Sequence, residues 1–352
     1  MDQAATLKLG ERTVGDDSPT FVLAEIASAH QGQADMAMAL ARVASEAKAD
    51  GVKFQLFRAD ALIAPNDSRY DTFRQIELSV EAWHRVLSEA ERLSLPLIAD
   101  VFDEASLEIA EAHDFVAYKI HFTDLENPEL IKAVAATGKP ILLGTGGVEP
   151  VALAQAILWV QEVAGNRWMP MHGVQNFPTR LEDSGLHALA QLRHRYGRPV
   201  GFLDHVDGAS PEALQLPALA VVAGADLVEK HITLDRSAQG FDYESALEKE
   251  ALVEMIDSIR RAEQALGPRR LARPAEAGLG DAHSRYHRLM RRSALAARPL
   301  EAGHILNRDD VVYLRHARGL APSTMRQHFG RRLASPLAAF DPISAEHFEA
   351  GE

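Results

Sequence analysis

The fold is decided by two nearly continuous apolar runs that end in polar side chains, PVGFLDHV (Pro199–Val206) and LVEKHIT (Leu227–Thr233). Parallel strands buried on both faces read in this way, whereas half-exposed strands alternate apolar and polar residues. Six earlier runs share this character: FVLAEIA (Phe21–Ala27), GVKFQLF (Gly51–Phe57), PLIADVF (Pro96–Phe102), FVAYKIH (Phe115–His121), PILLGTG (Pro140–Gly146) and WMPMHGV (Trp168–Val174). Stretches with helical spacing lie between them, and eight strand–helix pairs over roughly 245 residues predict an α/β fold, the (β/α)8 TIM barrel.

An open, doubly wound sheet is the alternative for alternating strands and helices, but it usually needs fewer strands and a glycine-rich first turn. No G-x-G-x-x-G pattern follows the first run, so we predict a catalytic barrel over residues 1–266. Residues 267–291 change to arginine, proline and glycine with little apolar periodicity, which predicts a linker. Residues 292–352 predict a small, mostly β domain, because two short β-like runs flank a turn at residues 301–303.

The composition is that of a globular protein, since 47% of the 352 residues are apolar and 25% are charged. The absence of cysteine excludes disulfides, thiolate nucleophiles and cysteine metal ligands. A net charge of −13 argues against a nucleic-acid partner and against binding to an anionic membrane surface, because like charges repel. No apolar run approaches the roughly 18–20 residues of a membrane helix, and the N-terminus has no basic-then-apolar signal. We therefore expect a cytoplasmic protein that acts on small molecules.

Polar side chains collect at the carboxyl ends of the predicted strands, where a barrel places its active site. They are Glu25, Lys53, Gln55, Asp100, Lys119, His121, Thr145, His172, Asp204, His205, Glu229, Lys230 and His231. Burying a lysine is costly without an anionic partner, so one interpretation is that Lys53 and Lys119 pair with carboxylates only to stabilise the barrel. The convergence of so many polar groups on one mouth favours instead a pocket for a small anion that carries carboxylate or phosphate.

His205 and His231 end neighbouring predicted strands, so both imidazoles could reach one metal ion. A single strand histidine is more often a hydrogen-bonded structural residue, but the pairing favours ligation, with Asp204 orienting an imidazole. An open site with two imidazoles suits a divalent ion and leaves positions for water and substrate. We predict Mn²⁺, with Co²⁺, Fe²⁺, Zn²⁺ and Mg²⁺ as alternatives.

From about Phe21 to its C-terminus the chain resembles the sialic acid synthase family. The barrel motifs that carry the resemblance are AEIASAHQG (Ala24–Gly32), DGVKFQLF (Asp50–Phe57), FDEASLEIAE (Phe102–Glu111), AYKI (Ala117–Ile120), GKPILLGTGG (Gly138–Gly147), HGVQNFPT (His172–Thr179), LDHVDG (Leu203–Gly208) and EKHITLD (Glu229–Asp235). The tail motifs RRSALAARPLEAGHIL (Arg291–Leu306) and LRHARGLAP (Leu314–Pro322) resemble that family's antifreeze-like (SAF) domain. Family members condense phosphoenolpyruvate with an N-acetylated aldohexosamine, giving a nine-carbon 2-keto sugar acid and phosphate.

The resemblance implies a role for each matching residue. Glu25 would lie beside the reacting carbons, assisting proton transfer or stabilising developing positive charge. Lys53 and Lys119 would bind the anionic groups of the donor. A metal on His205 and His231 would polarise the sugar aldehyde as a Lewis acid.

The resemblance also implies how the acceptor sugar and a partner subunit are engaged. Gln55, Asp242 and Phe177 match sugar-contacting positions, with Phe177 replacing the usual tyrosine. Arg315 matches a residue that reaches from the SAF domain into the barrel of the other subunit. The implied assembly is a domain-swapped homodimer with shared active sites.

The sequence departs from the family pattern where the donor phosphate would bind. Phe122, Gly144 and Leu203 stand where the pattern has serines, and Asp100 replaces a threonine. Phenylalanine and leucine offer no donor to phosphate oxygens, and a carboxylate repels them. Each lost hydrogen bond to a charged group weakens binding by about 1.5–3 kcal/mol.

Other polar residues are candidates to replace the missing donors. His121, Thr123 and Thr145 could contact the phosphate, and Asp124 and Gln175 are further substrate-binding candidates. His121, Thr123 and Asp124 belong to KIHFTD (Lys119–Asp124), which stands where the family has KIGSGE.

Two enzymatic functions follow, and the first is favoured. It is a phosphoenolpyruvate-dependent synthase of a sialic-acid-like sugar that holds the phosphate differently. The second is a divergent metal-dependent aldolase or lyase of a non-phosphorylated 2-oxo acid, in which Asp100 could be an acid or base. A non-catalytic sugar-binding relative is least favoured, because binding alone has no evident need for Glu25, two lysines and a metal site together.

Overall fold

The computed structural model describes residues 6–15, 18–267 and 281–349. The chain divides into two compact units, Met1–Arg270 and Leu271–Glu352. Of the segment predicted as a linker, residues 268–280 lie outside the described residues, and a helix occupies Asp281–Met290.

The strands of the described residues confirm the predicted barrel. They are β1 (Leu7–Leu9), β2 (Arg12–Val14), β3 (Phe21–Glu25), β4 (Gly51–Leu56), β5 (Leu97–Val101), β6 (Phe115–Ile120), β7 (Ile141–Gly144), β8 (Trp168–His172), β9 (Gly201–Asp204), β10 (Leu227–His231), β11 (Arg292–Ala296) and β12 (Val311–Arg315). Parallel strands β3 to β10 close on themselves, because β10 pairs with both β9 and β3. Each of the eight apolar runs contains one of these strands, which ends one or two residues before the run does.

Helices connect successive barrel strands and cover the barrel. Among the described residues, the helices of the first unit are α1 (Ala34–Glu46), α2 (Ala59–Leu62), α3 (Tyr70–Ile76), α4 (Val80–Arg92), α5 (Glu104–Glu111), α6 (Pro128–Ala136), α7 (Pro150–Ala164), α8 (His187–Tyr196), α9 (Glu212–Val222) and α10 (Lys249–Leu266). The second unit contains α11 (Asp281–Met290) and α12 (Pro322–Met325). Ser79, Asp103 and Asn127 cap α4, α5 and α6, each accepting a hydrogen bond from a backbone N–H in the first turn. In the described part of the chain, no helix combines the length and apolar character needed to cross a membrane.

The barrel interior has an apolar lower half and a charged upper half. Side chains alternate between the two faces of a strand, so every second residue points inward. Near the amino ends of the strands the buried interior residues are apolar, for example Leu23, Ile98 and Leu227. Toward the carboxyl ends the inward-facing residues are charged: Glu25, Lys53, Asp100, Lys119 and Glu229, all of them buried. This change of character places the charged groups at one end of the barrel.

An N-terminal hairpin, which the sequence analysis did not predict, closes the apolar end. β1 and β2 pair in antiparallel register from Leu7 opposite Val14 to Leu9 opposite Arg12. The buried side chains of Leu7, Leu9 and Val14 pack with the apolar lower half of the barrel interior. The hairpin therefore covers the amino ends of the barrel strands.

Replacing Leu9 with alanine should lower the free energy of unfolding by about 2–3 kcal/mol, because Leu9 is fully buried and its removal leaves a cavity. Urea denaturation followed by circular dichroism measures the change. The matched control is Lys8→Ala on the exposed face of the same strand, which should change stability by less than about 0.5 kcal/mol. Equal effects of the two substitutions would show that the hairpin does not pack as described.

The C-terminal unit contains the small antiparallel sheet predicted for the tail. β11 and β12 pair from Arg292 opposite Arg315 to Ala296 opposite Val311. A separate apolar core forms around this sheet, with Ala294, Leu306 and Met325 fully buried. Arg315 is exposed at the end of β12, and its contact with a partner subunit stays a prediction.

Candidate active site

A cavity of about 570 Å³ lies at the carboxyl ends of the barrel strands. Its wall includes ten of the predicted site residues: Glu25, Gln55, Lys119, His121, Thr123, Gln175, Phe177, His205, His231 and Asp242. It also includes Glu229, which was among the polar residues at the strand ends but had no assigned role. Seven further wall residues were not predicted: Ala27, Ser28, Phe57, Leu62, Arg69, Phe73 and Phe102. The predicted residues therefore converge on one concave site, as the barrel rule requires.

A buried ion cluster forms the floor of the cavity. Lys53 Nζ lies 2.5 Å from Asp100 Oδ2 and 3.0 Å from Glu229 Oε1, and it also pairs with Glu25. Lys119 Nζ lies 2.9 Å from Glu229 Oε1 and 3.5 Å from Asp100 Oδ2. With all groups ionised, two ammonium groups face three carboxylates. The cluster itself therefore has a net charge of −1 and does not concentrate positive charge.

The two lysines of the cluster differ in their surroundings. Burial lowers the pKa of Lys53, although the neighbouring carboxylates oppose this shift. For Lys119 burial acts in the same direction, but the charges of Asp100 and Glu229 outweigh it and raise the pKa. Burial favours protonation of Glu229, but both lysines hold the pKa of its carboxyl well below the usual range. Lys119 and Glu229 are therefore charged at neutral pH.

Only one of the two predicted donor-binding lysines reaches the cavity. Lys119 lines the wall, whereas Lys53 and Asp100 are fully buried and do not line it. Three carboxylates surround the ammonium group of Lys53. The interpretation that the lysines pair with barrel carboxylates thus applies to Lys53. Of the two lysines, only Lys119 is directly accessible to a substrate anion from the cavity.

The two predicted metal ligands lie side by side, with their ring centroids 5.3 Å apart. His205 Nδ1 donates to the backbone oxygen of Val174 at 2.9 Å, which leaves Nε2 with a free lone pair. Burial lowers the pKa of His205 to about 4 and that of His231 well below its usual value, so both rings are neutral. His231 Nδ1 is buried and has no hydrogen-bond partner among the described residues.

These residues fit a divalent metal ion with an open coordination sphere. Neutral imidazole is the ligating form, and a buried nitrogen without a partner leaves an acceptor for a cation. Within the described residues, no group of three or more His, Cys, Asp and Glu side chains could hold a metal. Two protein ligands would leave positions for water and substrate, as expected of a catalytic ion.

The acceptor half of the cavity adjoins this histidine pair. The Phe177 ring lies 4.6 Å from the ring of His205 and 5.7 Å from that of His231, and 44% of Phe177 is exposed. Asp242 Oδ2 accepts a hydrogen bond from Ser28 N at 3.0 Å, and burial raises the pKa of Asp242. Asp242 has a φ of 62°, a left-handed conformation that non-glycine residues seldom adopt and that is often found at functional sites.

The threonines proposed as replacement phosphate donors already use their hydroxyl hydrogens. Thr145 Oγ1 donates to the backbone oxygen of Met171 at 3.1 Å, and Thr145 does not line the cavity. Thr123 Oγ1 donates to Asp124 Oδ2 at 2.8 Å, and Asp124 lies behind the wall. A phosphate would have to displace one of these internal acceptors to receive a hydroxyl hydrogen bond.

Two charged residues of the cavity, Glu229 and Arg69, had no role assigned from the sequence, although Glu229 was among the polar residues at the strand ends. Glu229 precedes His231 by two residues on β10, and strand alternation places both on the inner face, so the signal was present. Arg69 lies just before α3, in the long connection after β4, and pairs with Asp67 at 2.9 Å. No sequence motif marks Arg69, because this connection has no regular pattern.

Both parts of the chain match known protein families. The NeuB family model matches residues 40–270, and the SAF domain model matches residues 291–349. The chain is 31% identical over 360 residues to an N,N'-diacetyllegionaminic acid synthase from Legionella pneumophila, covering 97% of this chain and 98% of that protein. It is 26% identical to the N-acetylneuraminate-9-phosphate synthase of Mus musculus, covering 96% and 95% of the two chains. A crystal structure of the sialic acid synthetase from Leptospira borgpetersenii superposes with a TM-score of 0.73 at 25% identity, covering 81% and 96%.

Proposed function

This chain belongs to the NeuB family, and from that premise we propose that it condenses phosphoenolpyruvate with an N-acetylated aldohexosamine. The products would be a sialic-acid-like 2-keto sugar acid and phosphate. The observation that carries the proposal is that the neutral pair His205 and His231 shares one cavity with Lys119 and Glu25. A metal-polarised aldehyde and a bound enol donor can meet only where these groups lie together.

The similar proteins support the product class. The relative from Legionella pneumophila is named for a legionaminic acid and the one from Mus musculus for a neuraminate phosphate, and both are called synthases. A cavity of about 570 Å³ falls in the range of roughly 300–1,000 Å³ that accommodates small organic ligands. The proposal therefore places donor and acceptor together in this cavity.

Four cavity residues have a chemical task in the proposed reaction. Lys119 binds the anionic groups of the donor with its charged ammonium group. Glu25 lines the wall, where its carboxylate would stabilise positive charge that develops on the donor. A divalent ion held by His205 and His231 would supply Lewis-acid polarisation of the sugar aldehyde.

The acceptor residues act by positioning. Gln55 and Asp242 offer hydrogen-bonding groups to the hydroxyls and amide of the sugar, and Phe177 offers a flat apolar surface. Holding two reactants in reactive geometry is itself a large contribution to catalysis. We therefore assign these three residues to acceptor binding.

A second candidate function is favoured by Asp100. Its carboxylate contacts Lys53 and offsets the positive charge of that ammonium group, which a phosphate dianion would need for binding. A monoanionic 2-oxo acid needs less positive charge, so a metal-dependent aldolase or lyase acting on such a substrate also suits the floor of the cavity. Since Asp100 is fully buried and not part of the wall, we assign it this electrostatic role, not direct contact with substrate.

Calorimetric titration of the Mn²⁺-loaded protein with phosphoenolpyruvate and then with pyruvate separates the two functions. The proposed function predicts micromolar binding of phosphoenolpyruvate and no comparable binding of pyruvate. It also predicts release of phosphate when a panel of N-acetylhexosamines is added. Equal or tighter binding of pyruvate would favour the second function. A panel that yields no phosphate from phosphoenolpyruvate would contradict the first.

Replacing Asp100 with asparagine should tighten phosphoenolpyruvate binding by about tenfold or more. The substitution removes one negative charge beside both lysines, and 1.4 kcal/mol corresponds to a factor of about ten. Pyruvate affinity should change less, because pyruvate carries less charge. The control is Asp114→Asn, the same charge change at an exposed residue next to the amino end of β6. If both variants bind phosphoenolpyruvate as the wild type does, Asp100 does not set the donor preference.

A further inference from the structure

Three polar side chains form a hydrogen-bonded chain in the donor half of the cavity, outside the ion cluster. His121 follows β6, and its Nδ1 lies 2.9 Å from Thr123 Oγ1. Thr123 Oγ1 in turn lies 2.8 Å from Asp124 Oδ2. The order is therefore imidazole, hydroxyl and carboxylate, with His121 and Thr123 on the cavity wall.

The direction of these hydrogen bonds fixes the tautomer of His121. A hydroxyl group has one hydrogen, and the Thr123 hydroxyl donates it to the carboxylate of Asp124. The Thr123 oxygen can therefore only accept from His121, so the imidazole hydrogen is on Nδ1. Nε2 then carries a lone pair, and among the described residues it has no hydrogen-bond partner. This leaves Nε2 free to accept a proton in the cavity.

The surroundings of His121 keep its ring neutral and oriented. The rings of Phe102 and Phe122 lie 5.6 and 4.5 Å from it, measured between centroids. Burial lowers the pKa of His121 to about 4, so Nε2 is unprotonated at neutral pH. A base oriented by a hydroxyl and a carboxylate behind it is a recurring arrangement for proton transfer.

We propose that His121 is the general base of the donor half, where Nε2 takes a proton from the water that adds to C2 of phosphoenolpyruvate. This inference rests on the proposed function, because the condensation consumes one water molecule. Thr123 and Asp124 act through His121 and are positioning residues.

The proposed step balances. As C3 of the donor bonds to the aldehyde carbon, positive charge develops on C2, and the water oxygen bonds there while one O–H bond breaks and its proton passes to Nε2. The remaining hydrogen leaves the hydroxyl oxygen on C2 when the carbonyl forms and the bond from C2 to the phosphate oxygen breaks. Of the two protons of water, one ends on the former aldehyde oxygen and the other on phosphate. Nε2 releases its proton in this second stage and is neutral again.

A weak base is sufficient for this step. Water becomes strongly acidic as its oxygen bonds to an electron-poor carbon, so the proton can pass to an imidazole of low basicity. The carboxylate of Asp124, reached through Thr123, stabilises the imidazolium that forms. The ring therefore needs to be unprotonated and correctly oriented more than it needs a high pKa.

The first test measures the tautomer without turnover. Nitrogen-15 spectra of histidine-labelled, Mg²⁺-loaded protein should show His121 with its hydrogen on Nδ1, with His121→Gln identifying the resonance. Thr123→Val should shift the tautomer balance toward Nε2–H, because the acceptor of the Nδ1 hydrogen is lost. A wild-type His121 that carries its hydrogen on Nε2 overturns the inference whatever the substrate.

The second test separates chemistry from binding. With phosphoenolpyruvate and the N-acetylhexosamine that gives most phosphate, His121→Gln should lower kcat by about 100–1,000-fold while KM for phosphoenolpyruvate changes less than about threefold. Thr123→Val should lower kcat about tenfold, and Thr123→Ser, which keeps the hydroxyl, should restore it. The matched control is Thr137→Val at the end of α6, where the hydroxyl donates only to a backbone oxygen.

The outcomes distinguish this inference from the function on which it rests. Normal kcat in His121→Gln, or a change in KM alone, overturns the role of His121 and leaves the proposed function intact. Release of no phosphate by the wild-type protein with any N-acetylhexosamine overturns the proposed function and the inference together.

Discussion

Replacing Lys53 with methionine should lower the free energy of unfolding by about 3–5 kcal/mol, because it leaves buried carboxylates without a partner. Lys53 is fully buried and pairs with Glu25, Asp100 and Glu229. Methionine fills a similar volume, so the loss measures charge and not packing. Equilibrium unfolding in urea, followed by tryptophan fluorescence and circular dichroism, gives the free energy.

Two further variants make this result specific. Lys132→Met removes a half-exposed lysine on α6 that pairs with Glu129 at 3.6 Å, and it should cost less than about 1 kcal/mol. Adding Asp100→Asn to Lys53→Met should restore part of the lost stability, because one unpaired carboxylate is removed. A loss below about 1 kcal/mol in Lys53→Met would mean that the cluster is solvated or protonated and does not depend on this lysine.

Replacing His231 with alanine should lower phosphate release by about 1,000-fold or more and abolish tight binding of Mn²⁺. The proposed Lewis-acid contribution is worth several kcal/mol, and about 4 kcal/mol corresponds to that factor in rate. Calorimetry with Mn²⁺ measures the metal affinity, and phosphate release measures the turnover.

The matched control for this prediction is His194→Ala, an exposed histidine on α8, which should leave both metal affinity and turnover unchanged. Retained Mn²⁺ binding in His231→Ala would show that the ion is held elsewhere. Unchanged metal affinity together with lost turnover would assign His231 to the substrate and not to the metal.

The fold was predictable from the sequence because its signal is long and repeated. Each barrel strand is buried on both faces, so it reads as a continuous apolar run, and eight such runs leave little choice of architecture. The N-terminal hairpin escaped prediction because each strand has three residues, too few to show an alternating pattern. The helices α2 and α3 are also short and lie in an irregular connection.

Ten of the predicted residues line one cavity, but the depth of each residue in the barrel was not predictable from the sequence. Strand alternation identifies Lys53 and Lys119 as inward-facing, but their heights depend on how neighbouring strands are staggered. The register pairs Lys53 with Ile98 and Lys119 with Asp100, so Lys119 lies two residues closer to the mouth relative to β5. A sequence without pairing information cannot show this offset, and therefore it cannot show which lysine a substrate meets.

The hairpin of β1 and β2 has a kinetic consequence for a two-substrate reaction. The hairpin covers the amino ends of the strands, so in the described barrel a ligand reaches the floor of the cavity from the carboxyl ends. Lys119, near the floor, is 3% exposed, whereas Phe177 at the rim is 44% exposed. A sugar resting against Phe177 would lie across the route to Lys119. For the proposed condensation, we therefore expect the donor to enter before the acceptor, so that steady-state kinetics follow a compulsory order of addition.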